Sequence, residues 1–151
     1  MVAVTIALAA CAHGPIRESI EVPPGLNDNA VELAVLLAVV NRNKPADLTV
    51  GQSITDNVLS AILGDRYAAQ QRGDSWFFEG RQPHQVLAGY THRGMYMRVA
   101  INYTVSAIDF EVTETRDVGH NKLAVKLLRQ LEDRLHRTLG AVAQQKTLTP
   151  Q

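Results

Sequence analysis

The stretch Met95-Tyr96-Met97-Arg98-Val99-Ala100-Ile101-Asn102-Tyr103 sets Met, Met, Val, Ile and Tyr at odd positions against Tyr, Arg, Ala and Asn at even ones. Successive side chains of an extended strand point to opposite faces. An alternation of this length therefore specifies a strand with one face in a core. The period of two extends to both sides. Downstream, Ile108, Phe110 and Val112 alternate with Asp109, Glu111 and Thr113. Upstream, Val86 to Thr91 reads as a strand turned by His92-Arg93-Gly94, and Trp76 and Phe78 point one way in an earlier strand. The short connections between these runs predict antiparallel hairpins.

Outside this block the period becomes helical. Leu123, Leu127, Leu128, Leu131 and Leu135 form an apolar stripe, while Lys122, Lys126, Arg129, Asp133, Arg134 and Arg137 fill the opposite face. That pattern predicts an amphipathic helix opening near Asn121, with Gly140 as the residue just past its end. Residues 30–40, Ala-Val-Glu-Leu-Ala-Val-Leu-Leu-Ala-Val-Val, carry one charge and predict a helix buried on most sides. A fully buried strand is the alternative, because such a run has no period to separate the two. Asp28 or Asn29 is placed to cap the helix, and Asn41-Arg42-Asn43 with Pro45 to end it. Thr49 with Gln52, and Ser53 with Asp56, have capping-box spacing ahead of Ile54, Val58 and Ile62. They predict a second helix over 50–63, reaching toward Gln71. The order is helix, helix, strands, helix. It predicts an α+β two-layer sandwich over residues 30–140: an antiparallel sheet of three to four strands, with two N-terminal helices and one long C-terminal helix on one face. Residues 141–151 read as a flexible tail.

Composition excludes several functions. The chain has 151 residues, and its 15 Lys and Arg balance 15 Asp and Glu. No global basic field exists to recruit nucleic acid or anionic lipid. No apolar run reaches the roughly 18 residues of a membrane span. A single cysteine excludes an internal disulfide framework and a cysteine-based zinc site. The histidines at 13, 84, 92, 120 and 136 show neither His-x-x-x-His nor His-x-Glu spacing, so no metal ligand set is expected. No cofactor motif is present either: there is no phosphate-cradling glycine loop and no nucleophile elbow.

Other segments carry residue types that catalysis or binding uses. Gly73-Asp74-Ser75-Trp76 has the Gly-Asp-Ser order of a hydrolase opening, but Gln70-Gln71-Arg72 precedes it where an apolar strand belongs. It reads as a loop entering a strand. Asp109 and Glu111 share one strand face near Arg98 and Asn102, and cross-strand charge pairing is their expected role. No catalytic residue is assigned. Phe77, Tyr90, Tyr96 and Arg98 are the candidate partner surface, since rings on an uncovered sheet face would mark one. Charge is also uneven along the chain. Residues 121–151 hold six basic and two acidic side chains, so the basic helix face could meet phosphates or an acidic partner.

The amino terminus carries the most specific signal. Residues 2–10 are uncharged and apolar or small, and they end at the only thiol in Leu8-Ala9-Ala10-Cys11. This resembles the lipobox of bacterial lipoproteins. The resemblance implies that the Cys11 thiol takes a diacylglycerol and that a peptidase cuts just before it. The small residues suit the peptidase, and the apolar stretch suits export. Residues 1–10 would then be a signal peptide. No basic residue follows Met1, which implies a start further upstream. Residues 11–29, with Pro15, Pro23, Pro24 and Gly25, read as a lipidated Cys and a flexible tether. Ala12 in place of Asp implies the outer membrane under the enterobacterial sorting pattern.

A wider resemblance, to small uncharacterised proteobacterial lipoproteins, rests on Cys11, Trp76, the 95–103 strand with Tyr103, and Asn121 to Leu139. It implies location and architecture and no activity. The expectation is a non-enzymatic, lipid-anchored periplasmic domain that binds another cell-envelope component, an envelope protein first, as an accessory subunit of an envelope complex would. A small-ligand or cell-wall binding domain is the first alternative, and a cytosolic interaction module the second.

Overall fold

The computed structural model describes residues 16–64, 74–118 and 121–148. The alternating stretch forms β4 (Met95–Tyr103), the central strand of a five-stranded antiparallel sheet. Its neighbours are β3 (Gln85–His92) and β5 (Ala107–Arg116), and the edges are β2 (Trp76–Gln82) and β1 (Arg17–Glu21). The order is β1-β5-β4-β3-β2. The fold is α+β, as the alternation and the flanking helical periods imply.

The odd row of β4 faces the core as expected. Met97, Val99 and Ile101 are buried there, opposite Tyr90, Ala88 and Val86 of β3 and near Phe110 and Ile108 of β5. The even row, Tyr96, Arg98, Ala100 and Asn102, faces the other way. Two bulges interrupt the ladder. One lies between Phe78 and Gly80 on β2, and one between Arg98 and Val99 where β4 meets β5. A bulge adds a residue to one strand and re-aims the side chains around it.

The 30–40 run is a helix. α1 spans Asp28–Val40, and every residue from Ala30 to Val40 is buried. A helix that is apolar all round has to be enclosed all round. α1 lies against β2, β3 and β4, and is itself covered by α2 (Asp56–Leu63) and α3 (Asn121–Leu148). Its cap is Asn27, one residue before the expected pair, whose side chain accepts from the Ala30 N–H at 2.8 Å. Asn41, with φ of 53°, closes the far end in the left-handed conformation that Asn tolerates better than most residues.

Three boundaries differ from the sequence reading. Residues 17–29 are not a free tether: β1 pairs along β5 from Arg17↔Glu111 to Glu21↔Ala107, Val22 and Leu26 are buried, and α1 begins at Asp28. α2 starts at Asp56, capped by Thr55, instead of at 50. The Thr49–Gln52 pair closes only a local turn, in which the Thr49 N–H donates to Gln52 Oε1 at 2.7 Å. The extension toward Gln71 lies outside the described residues. α3 runs through Gly140 to Leu148, and Val142 is buried, so the expected tail continues the helix as far as 148. An apolar stripe that still has a partner surface to cover outweighs the roughly 1 kcal/mol cost of one helical glycine.

Candidate functional site

Helices cover one face of the sheet. The other face is built from the even row of β4 and its neighbours, and it holds most of the candidate residues. Phe77 of β2 lies opposite Gly89 of β3, which lies opposite Arg98 of β4, which lies opposite Glu114 of β5. Gly89 is required here by close approach. A Cβ at this position would collide with the Phe77 ring, which lies across the strand. Phe77 is thereby half-buried.

Glu79 occupies the β2 bulge and organises this face. Its carboxylate accepts from the Tyr96 hydroxyl at 2.8 and 3.0 Å and from Arg98 Nε at 2.9 Å. Arg98 also pairs with Glu114 at 3.5 Å. The Arg116 guanidinium sits 5.0 Å from the centre of the Tyr96 ring, within cation–π range. Burial, then the bond to Glu79, raises the Tyr96 phenol above its ordinary value. It remains a hydrogen-bond donor at neutral pH. Arg98 and Glu114 are the more open members, with side chains 40% and 49% exposed.

Further along the same face, Arg17 of β1 pairs with Glu111 at 3.1 Å, and Gln85 donates to Asn102 at 2.9 Å. Cross-strand charge pairing thus occurs, but between other partners than expected: Glu111 pairs with Arg17, Arg98 turns toward Glu79 and Glu114, and Asp109 makes no ion pair among the described residues. At the end of the sheet, beside Tyr96 and Arg116, a cleft of about 710 Å³ is lined by Asp74, His92, Arg93 and Asp117 among others.

The candidates do not all meet. Phe77, Tyr96 and Arg98 share the open face. Tyr90 does not: it lies opposite Met97 on the helix-covered side and packs edge-on against Trp76, with ring centres 5.2 Å apart. It belongs to the core and is removed from the partner surface. Neither remaining ring is fully exposed. Phe77 lies against Gly89, and Tyr96 is 8% exposed beneath Arg116. The accessible chemistry of the face is therefore ionic, laid over a shallow aromatic base. Cys11 lies outside the described residues.

Asp74 of the Gly-Asp-Ser segment has a structural role. It accepts from the Trp76 N–H at 3.2 Å and pairs with Arg134 of α3 at 2.8 Å. No group of three or more His, Cys, Asp or Glu that could hold a metal occurs among the described residues.

One polar constellation escaped the sequence reading. Glu32, the single charge of the apolar run, is 6% exposed and pairs with Arg81 of β2 at 2.5 Å. Arg81 also donates to the Ile54 carbonyl at 2.6 Å. Burial, with the Glu32 carboxylate nearby, pushes the Tyr103 phenol up to about 12. The signal was available: a lone Glu in a fully enclosed helix must meet a cation, because an unpaired buried charge costs several kcal/mol.

Comparison of the chain with protein-family models, with curated proteins and with solved structures finds no match.

Proposed function

We propose that this chain is a non-enzymatic, lipid-anchored domain on the periplasmic side of the bacterial envelope, joined to the membrane through Cys11, that binds an envelope protein on its open sheet face. The observation that supports the docking role is the Glu79–Tyr96–Arg98–Glu114 array with Arg116. It is a set of charges held in fixed positions by two bulges, on the sheet face that the helices leave free. Ordered charges give a docking surface specificity and steer encounter more than they add raw affinity. The partner is a protein surface of complementary alternating charge. The Leu8-Ala9-Ala10-Cys11 resemblance supports the anchor.

The fold makes this anchor short. β1 begins at Arg17, so residues 12–16 alone link Cys11 to the sheet, a span of at most about 20 Å. A domain so tethered works within a few nanometres of the bilayer at a high effective concentration.

The test has two arms. The first is the intact mass of the protein from its native membrane, expressed from its own locus, beside Cys11→Ala. Loss of residues 1–10 together with acyl mass absent from the variant supports the anchor. An unacylated chain that keeps its amino terminus sinks it. The second is in-cell crosslinking from a photoreactive side chain at position 109, an exposed position of the same face outside the array, with and without Arg98→Glu. A discrete envelope protein captured only by the Arg98 form supports the docking face. Capture unchanged by the charge reversal counts against it.

A further inference from the structure

A second site lies on the opposite side of the molecule, in the groove between the end of α1 and the second half of α3. We propose that this groove binds a phosphate-bearing anion. The cleft has a volume of about 410 Å³, and its lining includes Arg42, Lys44, Arg134, Arg137 and Gln145 but no carboxylate. It is large enough for a phosphorylated small molecule or a lipid headgroup.

The charge balance carries the argument. Arg134 is neutralised by Asp74 at 2.8 Å. Arg42 is held in place by hydrogen bonds to the carbonyls of Ala61 at 3.0 Å and Ile62 at 2.6 Å. Lys44 donates to the carbonyls of Pro45 and Leu48. These acceptors are neutral amides, so both cations keep their charge while losing their mobility. Arg137 is exposed and makes no ion pair with another described residue; the acid nearest on its own helix, Asp133, is outside the lining.

The C-termini of α1 and α2 open onto the same region, each equivalent to about half a negative charge. They cancel about one of the three cations that no carboxylate compensates among the described residues, and leave a net charge near +2 there. Arg42 is fixed by carbonyls at the end of α2 and Lys44 by carbonyls of the loop after α1, so little side-chain freedom is lost on binding, and Arg137 is free to close on the ligand as a fork. The side-chain oxygen of Gln145 is buried without a hydrogen-bond partner among the described residues. The uneven charge of the C-terminal segment is thus concentrated at one place by the packing of α3 on α1.

The test titrates the full-length chain with inorganic pyrophosphate at low salt by calorimetry, and with vesicles of phosphatidylglycerol against phosphatidylcholine by flotation. Arg137→Ala is compared with Arg129→Ala, an exposed arginine of the same helix outside the cleft. The expected result is a loss of affinity of about 5- to 10-fold in Arg137→Ala and little change in Arg129→Ala, as for one charge-assisted contact. Arg137-dependent binding of pyrophosphate assigns a soluble phosphate ligand. Arg137-dependent binding of phosphatidylglycerol vesicles alone assigns a headgroup. Equal effects of the two substitutions, or no binding of either probe, overturn the site. Because these readouts do not use Cys11 or the open sheet face, they stand or fall independently of the docking proposal.

Discussion

The guanidinium of Arg81 lies 2.5 Å from the carboxylate of Glu32, and this ion pair joins the sheet to a helical run, residues 30–40, that is otherwise apolar and enclosed. Glu32 is near the start of α1, and Arg81 projects from the helix-covered face of β2, opposite Val86. Removing Arg81 leaves Glu32 buried and uncompensated, whereas removing Glu32 leaves a half-buried Arg81 that still donates to the Ile54 carbonyl. Arg81→Met is expected to cost about 3–5 kcal/mol and Glu32→Leu less, while the double replacement Glu32→Leu with Arg81→Met should recover most of that loss. Urea unfolding of the four proteins measures it. A double variant as unstable as the sum of the singles would show that the pair is not a coupled unit.

Burial, with the Glu32 carboxylate adding to it, sets an alkaline transition at Tyr103. Its phenol is pushed from 10.0 to about 12 in the folded chain. The folded state therefore holds this proton after the unfolded state has released it. Stability is fully present below pH 10 and falls as pH rises from about 10 to 12, by a total on the order of 2–3 kcal/mol. Tyr103→Phe cannot release a proton, so its stability should stay flatter across that window. Chemical unfolding at pH 9, 10.5 and 12 makes the comparison; parallel curves for the two proteins would refute it.

Gly89 and Phe77 form a close-packed pair on the open face. Gly89→Val should destabilise the domain by about 1–3 kcal/mol, because the Phe77 ring must leave its place over the strand. Phe77→Ala should suppress the effect, giving a coupling free energy of about 1 kcal/mol or more in a double-mutant cycle. Additive losses would mean that the ring does not depend on the missing Cβ.

Glu132 of α3 is raised above its ordinary carboxylate value, first by burial and then by the charge of Glu18 on β1. A raised carboxylate opposes folding when ionised, so its penalty is present at neutral pH and disappears as pH falls below the folded value. Glu132→Gln should therefore stabilise the protein at pH 7, by up to about 0.5 kcal/mol for a partly exposed site. The gain should vanish in acid. Thermal unfolding at pH 7 and pH 4 checks the sign, and a gain that grows in acid would contradict it.

The end of α3 provides a further check. Val142 is 1% exposed on a segment that by composition alone reads as a frayed tail. Truncation after Gly140 removes that contact and should cost about 1.5–3 kcal/mol, the worth of one buried aliphatic side chain. Circular dichroism should also report a shorter helix. An unchanged melting midpoint would return these residues to the tail.

What the sequence determined by itself is what is repeated locally. The alternation of residues 95–103 and 108–113, the hairpin turns, and the leucine stripe from Leu123 to Leu135 each restate their own structure every two or three to four residues. The strands, the covered face and the long helix were legible from them. The tertiary structure decided what depends on partners distant in sequence. β1 reads as a tether because Arg-Glu-Ser-Ile-Glu offers one apolar side chain. It is a strand because β5, some 90 residues later, supplies the ladder. The 30–40 run has no period, and it became a helix only because the sheet, α2 and α3 enclose it. Tyr90 went to the core, and Glu79 to the open face, through register and a bulge that no local pattern records. The cationic groove exists only where α3 crosses the end of α1, since a charge has electrostatic meaning only beside the charges that packing brings to it.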